Sequence, residues 1–135
     1  MQKFLRLEFV PSSSDLALLT LRVALGLSMA LLHGWGKLSN LIAGTSKFPD
    51  ILGIGSTPAL LLAIWAEFFC SLLLVFGLWT RLAALMLATT MSVAFFMAHG
   101  AKLSGPGNGE LAFVYLIGYV TLLVAGAGKY SVDRK

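Results

Sequence analysis

Apolar side chains fall into four long runs along this chain, parted by short polar or glycine-rich stretches. The first covers 16–38 and is opened by Ser12-Ser13-Ser14-Asp15, residue types whose side chains cap the free amides of a helix start. The second covers 59–79, follows Pro58, and carries a single charge, Glu67. The third, 82–98, and the fourth, 111–127, carry none. A helix that crosses a bilayer needs about 17–25 mostly apolar residues. The pattern therefore predicts an all-α fold, a four-helix transmembrane bundle, with 1–135 forming a single integral-membrane domain. Buried helices of a large soluble protein would show the same runs, but a chain this short has no residues left to cover them.

The connections sharpen this picture. Thr80 and Arg81 alone separate the second and third runs, which predicts a tight antiparallel hairpin. The stretch 100–109 is rich in glycine and contains Pro106, the composition of a loop. The longest connection, 39–58, mixes glycines with Phe48, Ile51, Leu52 and Ile54, so part of it is expected in the membrane interface. An echo also appears: HGWGKLS at 33–39 ends the first run and HGAKLS at 99–104 follows the third. Each is followed by a loop and a helix with a glutamate, Glu67 or Glu110, an arrangement that raises the option of two parallel helix-pair repeats.

Composition agrees with the pattern. Only 12% of the residues are charged and 58% are hydrophobic, with a mean hydropathy of +0.87, whereas soluble domains run about 25% charged. The net charge of +4 is scattered, with no basic run of the kind that holds nucleic acid. A single cysteine, Cys70, excludes an internal disulfide and a CxxC pair. The N-terminus lacks a cleavable signal pattern, so the first apolar run is expected to act as its own insertion signal. Lys3, Arg6, Arg81, Lys129, Arg134 and Lys135 fall on one side of the predicted membrane, against Lys37, Lys47 and Lys102 on the other. The positive-inside rule then puts both termini in the cytoplasm.

Ionisable groups inside a membrane are costly and are functional candidates by default. Here they are Arg22, His33, Glu67 and His99, with Lys37, Lys102 and Glu110 near one rim. At a rise of about 1.5 Å per residue, Arg22 lies roughly 9 Å, Glu67 roughly 18 Å and both histidines roughly 26 Å from the cytoplasmic ends. At about 100° per residue, Arg22, Gly26, Met29 and His33 share one stripe of the first helix, with Lys37 slightly off it. The Gly26, Ala30, Gly34 series would let another helix approach closely. Blander roles are available for each residue. Arg22 and Glu67 would serve as a structural ion pair, the histidines as caps, Lys37 and Lys102 as interface anchors and Cys70 as a packed hydrophobe. Trp35, Trp79 and Tyr130 sit where interfacial aromatics normally sit.

Several of these features together resemble one family. Arg22 with Gly26, HGWGKL at 33–38, Glu67, FGLWTR at 76–81, His99 and GAGKYSVD at 126–133 occur in the order and spacing of the DoxX family (DoxX/DoxD-like membrane proteins). The resemblance implies a four-helix inner-membrane protein, often encoded beside redox proteins and similar to the membrane subunit of a thiosulfate:quinone oxidoreductase. Other members are linked to oxidative-stress or metal-handling complexes.

The expected function is thus a membrane-integral subunit of an oxidoreductase system, in contact with the lipid bilayer, a quinone and a redox partner protein. His33, Glu67 and His99 form the expected catalytic set, with Lys37, Arg22 and Glu110 as ligand-binding residues. No haem, flavin or iron–sulfur motif is present, and no spacing marks a metal site. Two other readings stay open: a non-catalytic scaffold or assembly factor, and a metal-handling protein using His33, His99, Glu67 and Glu110. The sequence also leaves a homo-oligomer open.

Overall fold

The computed structural model describes residues 1–134, and every regular element among them is helical. Lys135, counted above with the cytoplasmic charges, lies outside the described residues. A short α1, Gln2–Leu5, precedes four longer helices: α2, Ser14–Ile42; α3, Ser56–Phe76; α4, Thr80–Ala98; and α5, Glu110–Ala125. At 29, 21 and 19 residues, α2, α3 and α4 are long and apolar enough to cross a membrane, while α5 is apolar but only 16 residues long.

The boundaries depart from the apolar runs for local reasons. Helix α2 starts earlier because Ser13 Oγ accepts from the Leu16 amide at 3.2 Å. It also continues past 38 to Ile42, through the polar Ser39 and Asn40. Helix α3 stops at Phe76, not 79, because Gly77 turns the chain with φ +69° and Trp79 follows at φ +49°. Thr80 and Arg81, expected as the linker, open α4 instead, and the turn is Gly77–Trp79.

Neighbouring helices pack antiparallel. Asp15, Leu25 and Ser28 of α2 meet Lys129, Gly118 and Tyr115 respectively, so α5 runs down α2. Gly26 faces Ser71 and Val75 while Gly34 faces Glu67, so α3 also runs down α2. The α4–α5 and α2–α3 contacts are the most extensive in the molecule. Between them lies a core that includes Met29, Leu74, Leu87, Phe95, Tyr119 and Leu122. The outer surface is as apolar as the core: Leu31, Leu32, Leu61, Leu62 and Val124 are all at least half exposed. A surface of that kind is suited to lipid and not to water.

Each of the three longest helices contains a π turn: Ala30–Gly34 in α2, Trp65–Cys70 in α3 and Val93–Ala98 in α4. Single π turns inside α-helices are uncommon and gather at functional sites. The first includes His33, the second includes Glu67, and the third ends one residue before His99.

The segment after α5 closes one end of the molecule. The Val132 and Asp133 amides donate to Phe76 O at 3.3 Å and Gly77 O at 2.9 Å. The Lys129 amide donates to Asp15 Oδ1 at 2.9 Å. Both ends of the helical assembly, and so the GAGKYSVD stretch, lie on one side.

Candidate functional site

Where α2 and α3 cross, their backbones touch. A Cβ built on Gly34 would sit 2.7 Å from Glu67 C, Glu67 O and Phe68 N, so only glycine permits this approach. The close contact brings Lys37 Nζ onto Glu67 Oε2 in an ion pair and hydrogen bond. Glu67 is 7% exposed, and the Lys37 side chain is partly buried. Regular 100° counting places Lys37 off the interior stripe, but a π turn holds one residue more than an α turn. The π turn at Ala30–Gly34 therefore re-aims everything beyond it, Lys37 included.

One turn before Lys37, the half-buried His33 ring meets the Tyr115 ring edge-on, centroids 5.9 Å apart. The Tyr115 hydroxyl donates to Ser28 Oγ at 2.7 Å, and its ring stacks on Tyr119 at 5.8 Å. Ser71, one turn after Glu67, and Tyr119 are both fully buried. Their hydroxyls lie near one another, with Glu67 and Tyr115 in electrostatic range, yet neither meets a protein partner in hydrogen-bond geometry. Buried hydroxyls without partners are uncommon in native cores and mark places where water or a ligand completes the bonding. The centre thus comprises an acid, a base, an imidazole and two tyrosines, held by three helices.

The remaining predicted residues go elsewhere. Arg22 does not pair with Glu67. Its guanidinium, on a side chain 1% exposed, donates Nη1 to Val75 O at 3.1 Å and Leu74 O at 3.4 Å, and Nη2 to Tyr130 O at 2.5 Å. The physical reason is the end of α3, where Val75 O has no amide partner among the described residues and takes an outside donor, while Leu74 O also accepts the Gly77 amide at 3.1 Å. Gly77 leaves the space: a Cβ there would overlap the guanidinium. His99 is taken up by its own loop, with Nδ1 2.9 Å from Gly107 O and its Cβ packed at Gly109. No hydrogen bond or ring contact joins it to His33 or Glu67 among the described residues. Glu110 is exposed at the first turn of α5, where its amide donates to Asn108 Oδ1 at 3.0 Å. The four donors of the metal reading are therefore not gathered, and no three His, Cys, Asp or Glu side chains converge among the described residues.

Tyr115, Tyr119, Ser28 and Ser71 were not singled out as site residues by sequence reasoning. The available signal was the pair of tyrosines one turn apart in an otherwise uniformly apolar helix, since a buried phenol normally finds a polar partner.

At the closed end, Asp133 caps α4, accepting from the Trp79 amide at 2.8 Å and the Thr80 amide at 2.6 Å. Burial alone would raise its carboxyl, but those hydrogen bonds and the charge of Arg22 outweigh it and hold Asp133 below the ordinary aspartate range. Arg22 and Asp133 together lock the final segment onto the α3–α4 turn.

A helical chain with an apolar exterior and a charged pair at a helix crossing is an integral membrane protein built around a buried polar centre. The chain belongs to the DoxX family, whose profile matches residues 17–100. It is 34% identical over 119 residues to an uncharacterized protein of Haemophilus influenzae, covering 79% of this chain and 81% of that one. It is 30% identical over 124 residues to the inner membrane protein YqjF of Escherichia coli, covering 89% and 92%. No solved structure matches the chain.

Proposed function

We propose that the chain is a membrane-integral subunit of an oxidoreductase system, a four-helix transmembrane bundle whose Lys37–Glu67 centre binds a quinone headgroup. The observation that carries this reading is the ion pair itself, set at an apolar helix crossing one turn from His33 and beside two buried tyrosines. Ionisable groups at membrane depth mark paths for substrates and protons. A quinone ring has two carbonyl oxygens, each of which needs a hydrogen-bond donor. Lys37 Nζ and a His33 ring N–H are donors of the required kind, carried one turn apart on α2 where it crosses α3. A bound quinone supplies the acceptor for two electrons and two protons. Lys37 and Glu67 hold a proton between them at the site, and the Ser71 and Tyr119 hydroxyls offer positions through which it is replenished. The sequence has no flavin, haem or iron–sulfur motif, so the electrons are assigned to a redox partner protein.

The name of the Escherichia coli relative supports an inner-membrane location, and the excess of Lys and Arg beside the shared ends supports cytoplasmic termini. A second reading, a non-catalytic scaffold or assembly factor, is favoured by one fact: Lys37 and Glu67 satisfy each other without a ligand. Melting of the purified protein, titrated with ubiquinone and menaquinone analogues, separates the two. A ligand at a hundredfold excess over its dissociation constant stabilises by about 2.7 kcal/mol. A rise that disappears in Glu67→Gln and His33→Ala is expected, and a flat response to both quinones leaves the scaffold.

A further inference from the structure

The end of the molecule closed by the last segment carries a cleft of about 910 Å³ that has no part in the Lys37–Glu67 centre. Trp79, Arg81 and Leu82 line one wall, and Gly126, Lys129 and Arg134 line the other. The two acidic residues on its lining are already engaged: Asp15 with the Lys129 amide and, at 3.9 Å, its ammonium, and Asp133 with the first amides of α4. Arg81 is different. Its Nη2 donates to Val124 O at 3.2 Å, and its guanidinium lies over Gly126, where an added Cβ would be 3.7 Å from Nε. Gly126, at φ +84°, supplies a turn few other residues accept. The exposed guanidinium thus has one backbone partner and forms no ion pair among the described residues. Beside it, the Arg81 and Leu82 amides in the first turn of α4 have no acceptor among the described residues, and such amides attract anions. The Thr80 hydroxyl, fully buried on the cleft lining, sits near the Asp133 carboxylate without meeting hydrogen-bond geometry.

We propose that this cleft binds the phosphate of an anionic phospholipid headgroup, with Arg81 as its principal partner and Lys129, whose exposed ammonium lies 3.9 Å from Asp15, as a second positive charge. The ligand is a lipid and not a free phosphate because the cleft opens onto an apolar track. Leu82, Leu85 and Val124 are 56%, 47% and 73% exposed and continue from it along α4 and α5, where acyl chains would lie. Basic pockets between helices at the cytoplasmic surface are known to take such headgroups.

The test uses the full-length protein in an uncharged detergent. Lipid retention is read by native mass spectrometry and melting by thermal shift, with phosphatidylglycerol, phosphatidylcholine and inorganic phosphate as probes. Phosphatidylglycerol is expected to bind more tightly than phosphatidylcholine. That preference should fall about fivefold for each positive charge removed, in Arg81→Gln and in Lys129→Gln, and Arg81→Lys should keep part of it. If Arg81→Gln does not fold, Lys129→Gln decides alone. Equal retention of the two lipids, or an unchanged preference in the folded charge variants, overturns the site. A melting shift with inorganic phosphate as large as that with phosphatidylglycerol overturns the assignment to lipid.

Discussion

Gly34 of α2 rests against the peptide of Glu67 in α3, so closely that a Cβ would stand 2.7 Å from three backbone atoms. Side chains can rotate away from an intruding methyl group; a helix backbone cannot. Gly34→Ala should therefore push α2 and α3 apart at their π turns and weaken the Lys37–Glu67 pair, at a cost of about 1–3 kcal/mol typical of overpacking. Gly36 is the control. Nothing lies within 4 Å of a Cβ there, so Gly36→Ala should be neutral or gain up to about 1 kcal/mol from helix propensity. Thermal unfolding in detergent compares the two, and equal losses would mean that the close approach does not govern stability.

Arg22 serves three backbone carbonyls, those of Leu74, Val75 and Tyr130. Hydrogen bonds to a charged group contribute about 1.5–3 kcal/mol each, and unpaired buried carbonyls add their own penalty. Arg22→Met should accordingly be among the most destabilising single changes in the chain, and Arg22→Lys should recover little, since an ammonium cannot span three acceptors as a guanidinium does. In a double-mutant cycle with Glu67→Gln the effects should add. Strong coupling between the two would contradict the separate partners described above.

Lys37 and Glu67 should behave oppositely. Removing one member of a buried pair costs up to about 3–5 kcal/mol, and removing both often costs less; the partial exposure of Lys37 favours the low end of that range. Lys37→Met and Glu67→Gln should therefore each lower the melting temperature, with the double variant better than the sum. Additive losses would show that the pair contributes nothing jointly.

These pairings show which parts of the molecule the sequence revealed. Helix positions followed from apolar runs alone, because lipid-facing and core-facing positions are both apolar and leave a strong signal. The same uniformity hid the facing of individual residues. With no polar side to each helix, 100° counting was the only guide, and the π turns at Ala30–Gly34, Trp65–Cys70 and Val93–Ala98 break it. Lys37 falls slightly off the interior stripe on that count, and the π turn at Ala30–Gly34 is what turns it inward. Arg22 was matched to Glu67 because the sequence showed the one other charge in the facing run; its carbonyl partners are backbone and have no residue signature. The end of α3 was misplaced because Gly77–Trp79 is shaped by Asp133, distant in sequence.

Asp133 gives the molecule a pH dependence at its closed end. Its folded carboxyl is held below the ordinary aspartate value of about 3.9. A lowered folded value means that its stabilisation is complete above the unfolded value and is lost as pH falls through the folded one. Acid melting should therefore show a component below the usual aspartate range that disappears in Asp133→Asn. At neutral pH that substitution keeps one accepting oxygen and loses the other, so it should cost about 0.5–1.5 kcal/mol, the scale of one hydrogen bond. A profile identical in wild type and variant from about pH 5 down through the acid range below the aspartate value would mean the cap does not depend on its charge.

The two tyrosines of α5 separate a structural hydroxyl from one without a partner. Tyr115 donates to Ser28 at 2.7 Å, whereas the Tyr119 hydroxyl is buried with no protein partner. Tyr115→Phe removes a formed bond while Ser28 keeps its own to Ala24 O at 2.8 Å, so it should lower stability by about 0.5–1.5 kcal/mol. Tyr119→Phe deletes a buried donor that no protein group uses, and should be neutral or stabilising if the core there is dry. If an internal water joins Tyr119, Ser71 and Glu67, the same change loses bonds and destabilises, and Ser71→Ala should cost less in its presence than in the wild type. Melting curves of the two single variants and of the Tyr119→Phe, Ser71→Ala double variant distinguish these cases. Quinone titration of the same proteins adds the functional side: Tyr115→Phe should leave the response intact, because the Tyr115 proton goes to Ser28 and its ring stays packed against His33. A weakened response in Tyr115→Phe would bring that hydroxyl into the site and contradict a headgroup held by Lys37 and His33.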